Sequence, residues 1–297
     1  MTGMTRTSVL TAAVGLWLCS AALAQDYEIR LHRPVKVGQE YQMSATGRET
    51  QKMTAWAGAQ VIKSEVQEMA VEIEASAKVL EVDKNGAASK ESIMIGKCLE
   101  VKGEAKTPLL PAGAVVVASL DASKEPVFEI DGQKVGPQAH KALSLVFSLG
   151  KGGVTDDQVF GTPDRKKVGD QWAMNSQLAA DDLKETGLAV KKEDVTGAVT
   201  LEKVVKAADG DCLQLAVTME IAKVVPPAPP GFAVEKGTLR AQMSGKFPVN
   251  PALQSPEKSD SMTITFVMKG KPQPDAPEVV VETVAERQTT CKYAYPK

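Results

Sequence analysis

The strongest constraint in this sequence is a period-two alternation of apolar and polar side chains, sustained over several long segments. Met69, Val71, Ile73, Ala75, Ala77 and Val79 are apolar, while Glu68, Ala70, Glu72, Glu74, Ser76 and Lys78 between them are mostly polar. Leu213, Leu215, Val217, Met219 and Ile221 repeat the pattern, as do Leu239, Ala241, Met243, Gly245 and Phe247, and then Met262, Ile264, Phe266 and Met268. Successive side chains of a strand point to opposite faces, so each segment has one dry and one wet face. This pattern predicts a long-stranded antiparallel sheet with one solvated face. Residues 66–82 contain no breaker and would extend about 55 Å, a length at which bends or bulges are expected.

Turn chemistry punctuates the strands. Asn85-Gly86, Asp131-Gly132 and Asp209-Gly210 are hairpin signals, because these residues tolerate positive φ. The proline-rich stretches Pro226–Gly231 and Pro272–Pro277 read as stiff surface connections. One segment breaks the alternation. From Pro137 to Leu149 the residues Ala139, Leu143, Val146 and Phe147 recur near helical spacing, widened by Ala142, Leu145 and Leu149. This predicts an apolar helix packed on the dry face. A second, polar helix is predicted over Leu178–Glu185. The whole reads as a mainly β fold of about ten to twelve strands and one or two helices, a half-barrel or clam-like sheet.

Residues 1–24 read as a secretory signal peptide: Arg6 supplies the positive charge, Val9–Leu18 the apolar core, and Ala22-Leu23-Ala24 the cleavage site. The apolar run is shorter than the ~20 residues that span a bilayer. Cys19 follows the bulky Leu18, where a lipidation signal requires a small residue. The expected product is an exported chain of residues 25–297, periplasmic or extracellular, with no transmembrane segment. It carries 34 basic and 37 acidic side chains, a net charge of −3. That balance gives no electrostatic footprint for nucleic acid. Export permits disulfides. Cys98, Cys212 and Cys291 allow at most one intrachain bridge, in three pairings, and the alternative is three buried, reduced thiols.

Two segments resemble each other. Lys36-Val37-Gly38-Gln39-Glu40-Tyr41-Gln42-Met43 matches Lys167-Val168-Gly169-Asp170-Gln171-Trp172-Ala173-Met174 at Lys, Val, Gly and Met, and in type at the aromatic position. Each reads as a turn that launches a strand whose first inward side chain is aromatic. The match points to an internal duplication, with one β-rich domain built from halves of about 25–160 and 161–297. The repeated Val-Gly-polar-polar-aromatic turn, two half-sheets, an apolar helix and a leader resemble uncharacterised bacterial exported β-rich proteins. More loosely, they resemble the half-barrel lipoprotein carriers of the cell envelope. The resemblance implies an antiparallel sheet curled around a helix, with acyl chains held in the cavity. The missing lipobox and the low aromatic content, 4% of residues, depart from that pattern.

Signals for chemistry are sparse. His32 and His140 lack metal-motif spacing. No G-x-S-x-G elbow is present. Ser148–Lys151 and Ser255–Lys258 match Ser-x-x-Lys at a frequency expected by chance, without the supporting Lys-Thr-Gly. Gly150-Lys151-Gly152-Gly153 lacks a Walker ending. The acids at the turns complete no calcium loop. No cofactor or metal is expected. Methionine is more informative, because its flexible, polarisable side chain suits adaptable apolar cavities. Met43, Met69, Met219, Met243, Met262 and Met268 fall on dry positions. With Leu143, Val146 and Phe147 from the helix, they form the candidate apolar-ligand site.

The function expected is therefore a non-enzymatic exported protein that holds an acyl chain or lipid-like ligand in a Met- and Val-lined cavity. The alternative is a structural scaffold that contacts another envelope protein through sheet edges, without a small ligand. A hydrolase is the third reading.

Overall fold

The computed structural model describes residues 25–185, 187–273 and 275–296, so the signal peptide expected at 1–24 lies outside the described residues. The alternation is realised as thirteen strands in one antiparallel sheet. In chain order they are β1 (Glu40–Ala57), β2 (Gln60–Val82), β3 (Ala88–Lys102), β4 (Ala105–Pro108), β5 (Val115–Leu120), β6 (Pro126–Ile130), β7 (Gln133–Lys134), β8 (Gln171–Ala173), β9 (Val195–Ala207), β10 (Gly210–Ile221), β11 (Phe232–Pro248), β12 (Glu257–Gly270) and β13 (Val279–Ala294). Three helices interrupt them: α1 (Pro137–Val146), α2 (Asp156–Phe160) and α3 (Ser176–Glu185).

The spatial order is β7-β6-β5-β3-β2-β1-β13-β12-β11-β10-β9-β8, with β4 folded back on β3. Two meanders meet where the first long strand pairs with the last, Gln42 opposite Ala294 through to Ala57 opposite Val279. The sheet is open, ending at β7 and β8, and it draws strands from both expected halves. The strand count exceeds expectation because β4, β7 and β8 have four, two and three residues. Pieces that short are invisible to a periodicity argument. The expected irregularities are present as register shifts between Ala55 and Trp56 and between Val79 and Glu81.

The two repeated turns have the same backbone geometry. Gly38 has φ of 86° and Gly169 of 93°, which an L side chain rarely adopts. Gly38 N–H donates to Val79 O at 2.8 Å, and Gly169 N–H donates to Leu201 O at 2.7 Å. The next residue's N–H donates to the carbonyl of Lys36 or Lys167, at 3.0 Å in both turns. Tyr41 and Trp172 then point inward, each against its own core cluster.

Both longer helices lie on one face of the sheet. A Cβ on Gly47 of β1 would stand 2.7 Å from the Leu145 side chain, so α1 rests on that face. Ala179 and Ala180 of α3 pack with Leu239 of β11. Leu239 is linked by register through Ile264 and Ala285 to Gln51, four residues beyond Gly47 and on the same side of β1. Helix α1 stops at Val146, short of the expected Leu149. Phe147 is extended (φ −97°, ψ 130°), and Gly150 N–H is tied to Ala88 O at 2.7 Å. Phe147 and Leu149 remain buried beyond the helix end. Helix α3 begins two residues before the expected Leu178. No helix among the described residues is long and apolar enough to cross a membrane.

Candidate functional site

All six methionines singled out by alternation lie on the face that carries the helices, but they do not share one cavity. Met69, Met262 and Met219 occupy a single rung, Met69–Glu49–Arg287–Met262–Ala241–Met219, which crosses six strands. At the usual strand spacing its ends are about 24 Å apart. Met43 and Met69 are buried in the cluster under α1, together with Leu143, Val146 and Phe147. Met243 packs against a second cluster, and Met219 and Met262 against a third. Met268 sits in a rung with Ala55, Val281 and Val234, where β12 is half-exposed.

Among the described residues, Cys98, Cys212 and Cys291 are free and buried. Cys98 and Cys291 share the rung Cys98–Ile73–Ala45–Cys291. Three strand spacings separate them, about 14 Å, well beyond the ~7 Å between Cα atoms that a disulfide tolerates. Cys212 lies on β10, opposite Pro248 and Val205. No bridge joins Cys98, Cys212 and Cys291 in the structure, where all three are free thiols.

Side chains converge instead in a cleft of about 630 Å³ between β1, β3, the ends of β12 and β13, and the segment after α1. Met43, Val146 and Phe147 are the expected site residues that line it. Its polar centre is Glu91 of β3, 4% exposed. Glu91 stands opposite Val79 and in phase with Ile93 and Ile95, so it is a carboxylate in a dry row. The Tyr41 hydroxyl donates to both its oxygens, at 2.9 and 3.0 Å. Burial raises the Glu91 pKa above the ordinary carboxylate range, and the Tyr41 hydrogen bond partly offsets that shift.

Three of the chain's four tyrosines surround this acid. The ring centroids of Tyr41 and Tyr293 are 5.8 Å apart, those of Tyr41 and Tyr295 5.9 Å, and those of Tyr293 and Tyr295 6.3 Å. Burial raises all three phenol pKa values, and the Glu91 charge adds to the shift in each. The basic groups of the cleft have partners other than Glu91: Lys124 and Lys151 lie 3.6 Å from Glu185 and Glu125. Arg287 donates to Leu145 O at 2.6 Å, Arg33 donates to Pro248 O at 2.7 Å, and Lys258 lies 3.9 Å from Asp156. His32 Nε2 donates to Asn85 O at 2.7 Å, and His140 Nε2 to Pro126 O at 3.0 Å. Among the described residues no His, Cys, Asp and Glu group is arranged to hold a metal.

A second feature lies at the opposite end of β1 and β2. Strand β3 pairs only with Val71–Val82, so, among the described residues, positions 60–70 of β2 have a neighbour on one side alone. Val61, Ile62 and Val66 are more than half exposed there. Alternation marked this strand, but it could not show where the partner strand stops.

The chain matches no protein-family model and no curated protein sequence. Among solved structures it is aligned with MucB in complex with MucA(peri), and with the Pseudomonas aeruginosa MucA/MucB complex. Each alignment has 11% identity, covers 82% of this chain and 88% of that one, and has a TM-score of 0.17. The outer membrane protein OprG from Pseudomonas aeruginosa aligns at 6% identity over 89% of this chain and 99% of its own, with a TM-score of 0.12. TM-scores of this size do not establish a common fold.

Proposed function

We propose that this is an exported, non-enzymatic binding protein that receives an extended segment of a partner protein along the free edge of β2. The observation that carries this reading is the length of that edge. The other edges are shorter: β4, β7 and β8 have four, two and three residues, and the part of β9 beyond its β8 pairing, residues 202–207, has six. Short edges are how sheets avoid unwanted pairing. Residues 60–70 of β2 form a longer edge, unpaired on one side among the described residues.

The backbone direction follows from alternation. Val79 N–H donates to Gln39 O, and Val79 O accepts from Gly38 N–H, so Val79 faces β1. Counting back in twos, Met69, Gln67 and Glu65 also face β1, so the residues between them, Ser64, Val66, Glu68 and Ala70, turn their N–H and C=O groups outward. A partner strand would bond there, with side-chain pockets supplying choice. Lys63, Glu65 and Glu68 along the edge oppose indiscriminate pairing. The partly exposed Val281, Met268 and Val234, in one rung with the buried Ala55, extend apolar surface beside it.

Val66→Pro tests this reading. Proline at an outward-facing position removes an edge donor without breaking the β1 ladder. With a photo-crosslinking residue at position 64, the wild-type protein is expected to give a discrete adduct in the cell envelope, and the Val66→Pro protein none. Both should melt alike. Adducts equally abundant with and without Val66→Pro would overturn the proposal, as would none at all.

A further inference from the structure

Glu91 is a nearly fully buried carboxylate without a cation. None of the ion pairs among the described residues includes it, and its hydrogen bonds come from one hydroxyl, that of Tyr41. A carboxylate can accept about four hydrogen bonds. A buried charge is ordinarily paired, because burial without a partner is costly. This one lines an accessible cleft, together with Tyr41, Tyr293 and Tyr295, in a chain with only four tyrosines. Aromatic faces beside an uncompensated negative charge suit a positively charged, weakly hydrated group.

We propose that the cleft binds an organic ammonium ion. Its charge rests against Glu91, its alkyl substituents lie against the Tyr41, Tyr293 and Tyr295 rings, and an apolar tail runs along Met43, Val146 and Phe147. An inorganic divalent cation fits poorly, since calcium takes six to eight oxygen ligands and the centre offers one carboxylate and phenols. An anion would meet Glu91 directly. The cleft's own cations do not satisfy the acid: Arg287 is bonded to the Leu145 carbonyl, Arg33 to Pro248, and Lys258, Lys124 and Lys151 lie beside Asp156, Glu185 and Glu125. Of the cleft's other acids, Asp260 accepts from Thr289, Asp83 accepts from Gly152 N–H, and Glu125, Asp156 and Glu185 stand beside lysines. The site is separate from the β2 edge, so either proposal can fail alone.

The test uses three probes with one tail and different heads: octyltrimethylammonium bromide, sodium octyl sulfate and octyl glucoside. Each is titrated below its micellar concentration, with calorimetry and tyrosine difference absorbance as readouts. The expected result is saturable one-to-one binding of the ammonium probe, at least tenfold tighter than either other head. Glu91→Gln keeps an acceptor for Tyr41 and removes the charge, and it should lower ammonium affinity at least tenfold, to the level of the glucoside. Tyr295 lies beyond the end of β13, outside the ladder, so Tyr295→Leu should fold normally and weaken binding several-fold. Equal affinity for the three heads, unchanged binding by Glu91→Gln in a folded protein, or no saturable ammonium binding would each overturn the proposal.

Discussion

Arg287 of β13 caps the C-terminal end of α1: its Nη2 donates to the Leu145 carbonyl at 2.6 Å and approaches that of Ser144 at 3.4 Å. The last turn of α1 contains no basic residue of its own. A helix leaves its final carbonyls unpaired, and a cation there also suits the macrodipole. The sheet therefore supplies the cap that the helix lacks. Arg287→Met should remove a charge-assisted hydrogen bond and cost about 2 kcal/mol. For a chain of this size that is a fall of roughly 4–8 °C in Tm. Arg287→Lys should recover part of it. Thermal melts of the three proteins check this, and an unchanged Tm for Arg287→Met would show that the cap is dispensable.

Gly47 lets α1 sit directly on β1. A Cβ there would meet Leu145 Cγ and Cδ2 at 2.7 Å. Gly47→Val should destabilise the protein by about 1–3 kcal/mol through overpacking. Leu145→Ala alone should cost about 2–5 kcal/mol as a cavity. Because the two changes act on the same space, the double variant should be less destabilised than the sum of the singles. Denaturant titration of all four proteins gives the coupling, and strict additivity would place α1 elsewhere.

What the sequence made legible follows the reach of each physical signal. Alternation is local and two-valued, so it placed Met43, Met69, Met219, Met243, Met262 and Met268 on one face of the sheet. It could not show that they span about 24 Å of that face, because strand order depends on pairings such as Met43 with Tyr293, distant in sequence. Helix α2 carried a readable signal, Thr155 and Gln158 at capping-box spacing, and Gln158 Oε1 accepts from Thr155 N–H at 2.8 Å. Glu91 was legible in principle as a charge in phase with Ile93 and Ile95. A polar residue in a dry row is a functional signal only once its partners are known, and Tyr41, Tyr293 and Tyr295 arrive from both ends of the chain.

The cysteines should stay reduced even in an oxidising compartment. Burial raises the Cys98 thiol pKa to about 11 and also raises those of Cys212 and Cys291. The thiolate is the reactive form, so buried thiols with raised pKa values are inert. The chain from residue 25, purified without reductant, should show no thiol reactive to Ellman's reagent while folded. In denaturant it should show all three, Cys98, Cys212 and Cys291. One reactive thiol in denaturant would reveal a bridge, and the strand register excludes Cys98–Cys291 as its pairing.

The Glu91–Tyr41 pair sets a pH dependence whose sign can be worked out. The folded state raises the Glu91 pKa, chiefly through burial, so the folded protein holds that proton to higher pH than the unfolded chain does. A group of this kind contributes full stability below its unfolded pKa, about 4.3 for Glu. That contribution is lost as pH rises through the higher folded value. Glu91→Gln keeps an oxygen that accepts from Tyr41 and never ionises. The variant should therefore melt above the wild-type protein at pH 8, and the gap should narrow as pH falls and close near pH 4. An ammonium ligand reverses the order at high pH, because the ionised acid then gains its missing counter-charge. Melting curves of both proteins from pH 4 to 8, with and without octyltrimethylammonium, separate the two effects. A gap that stays constant with pH would mean that Glu91 does not titrate in this range.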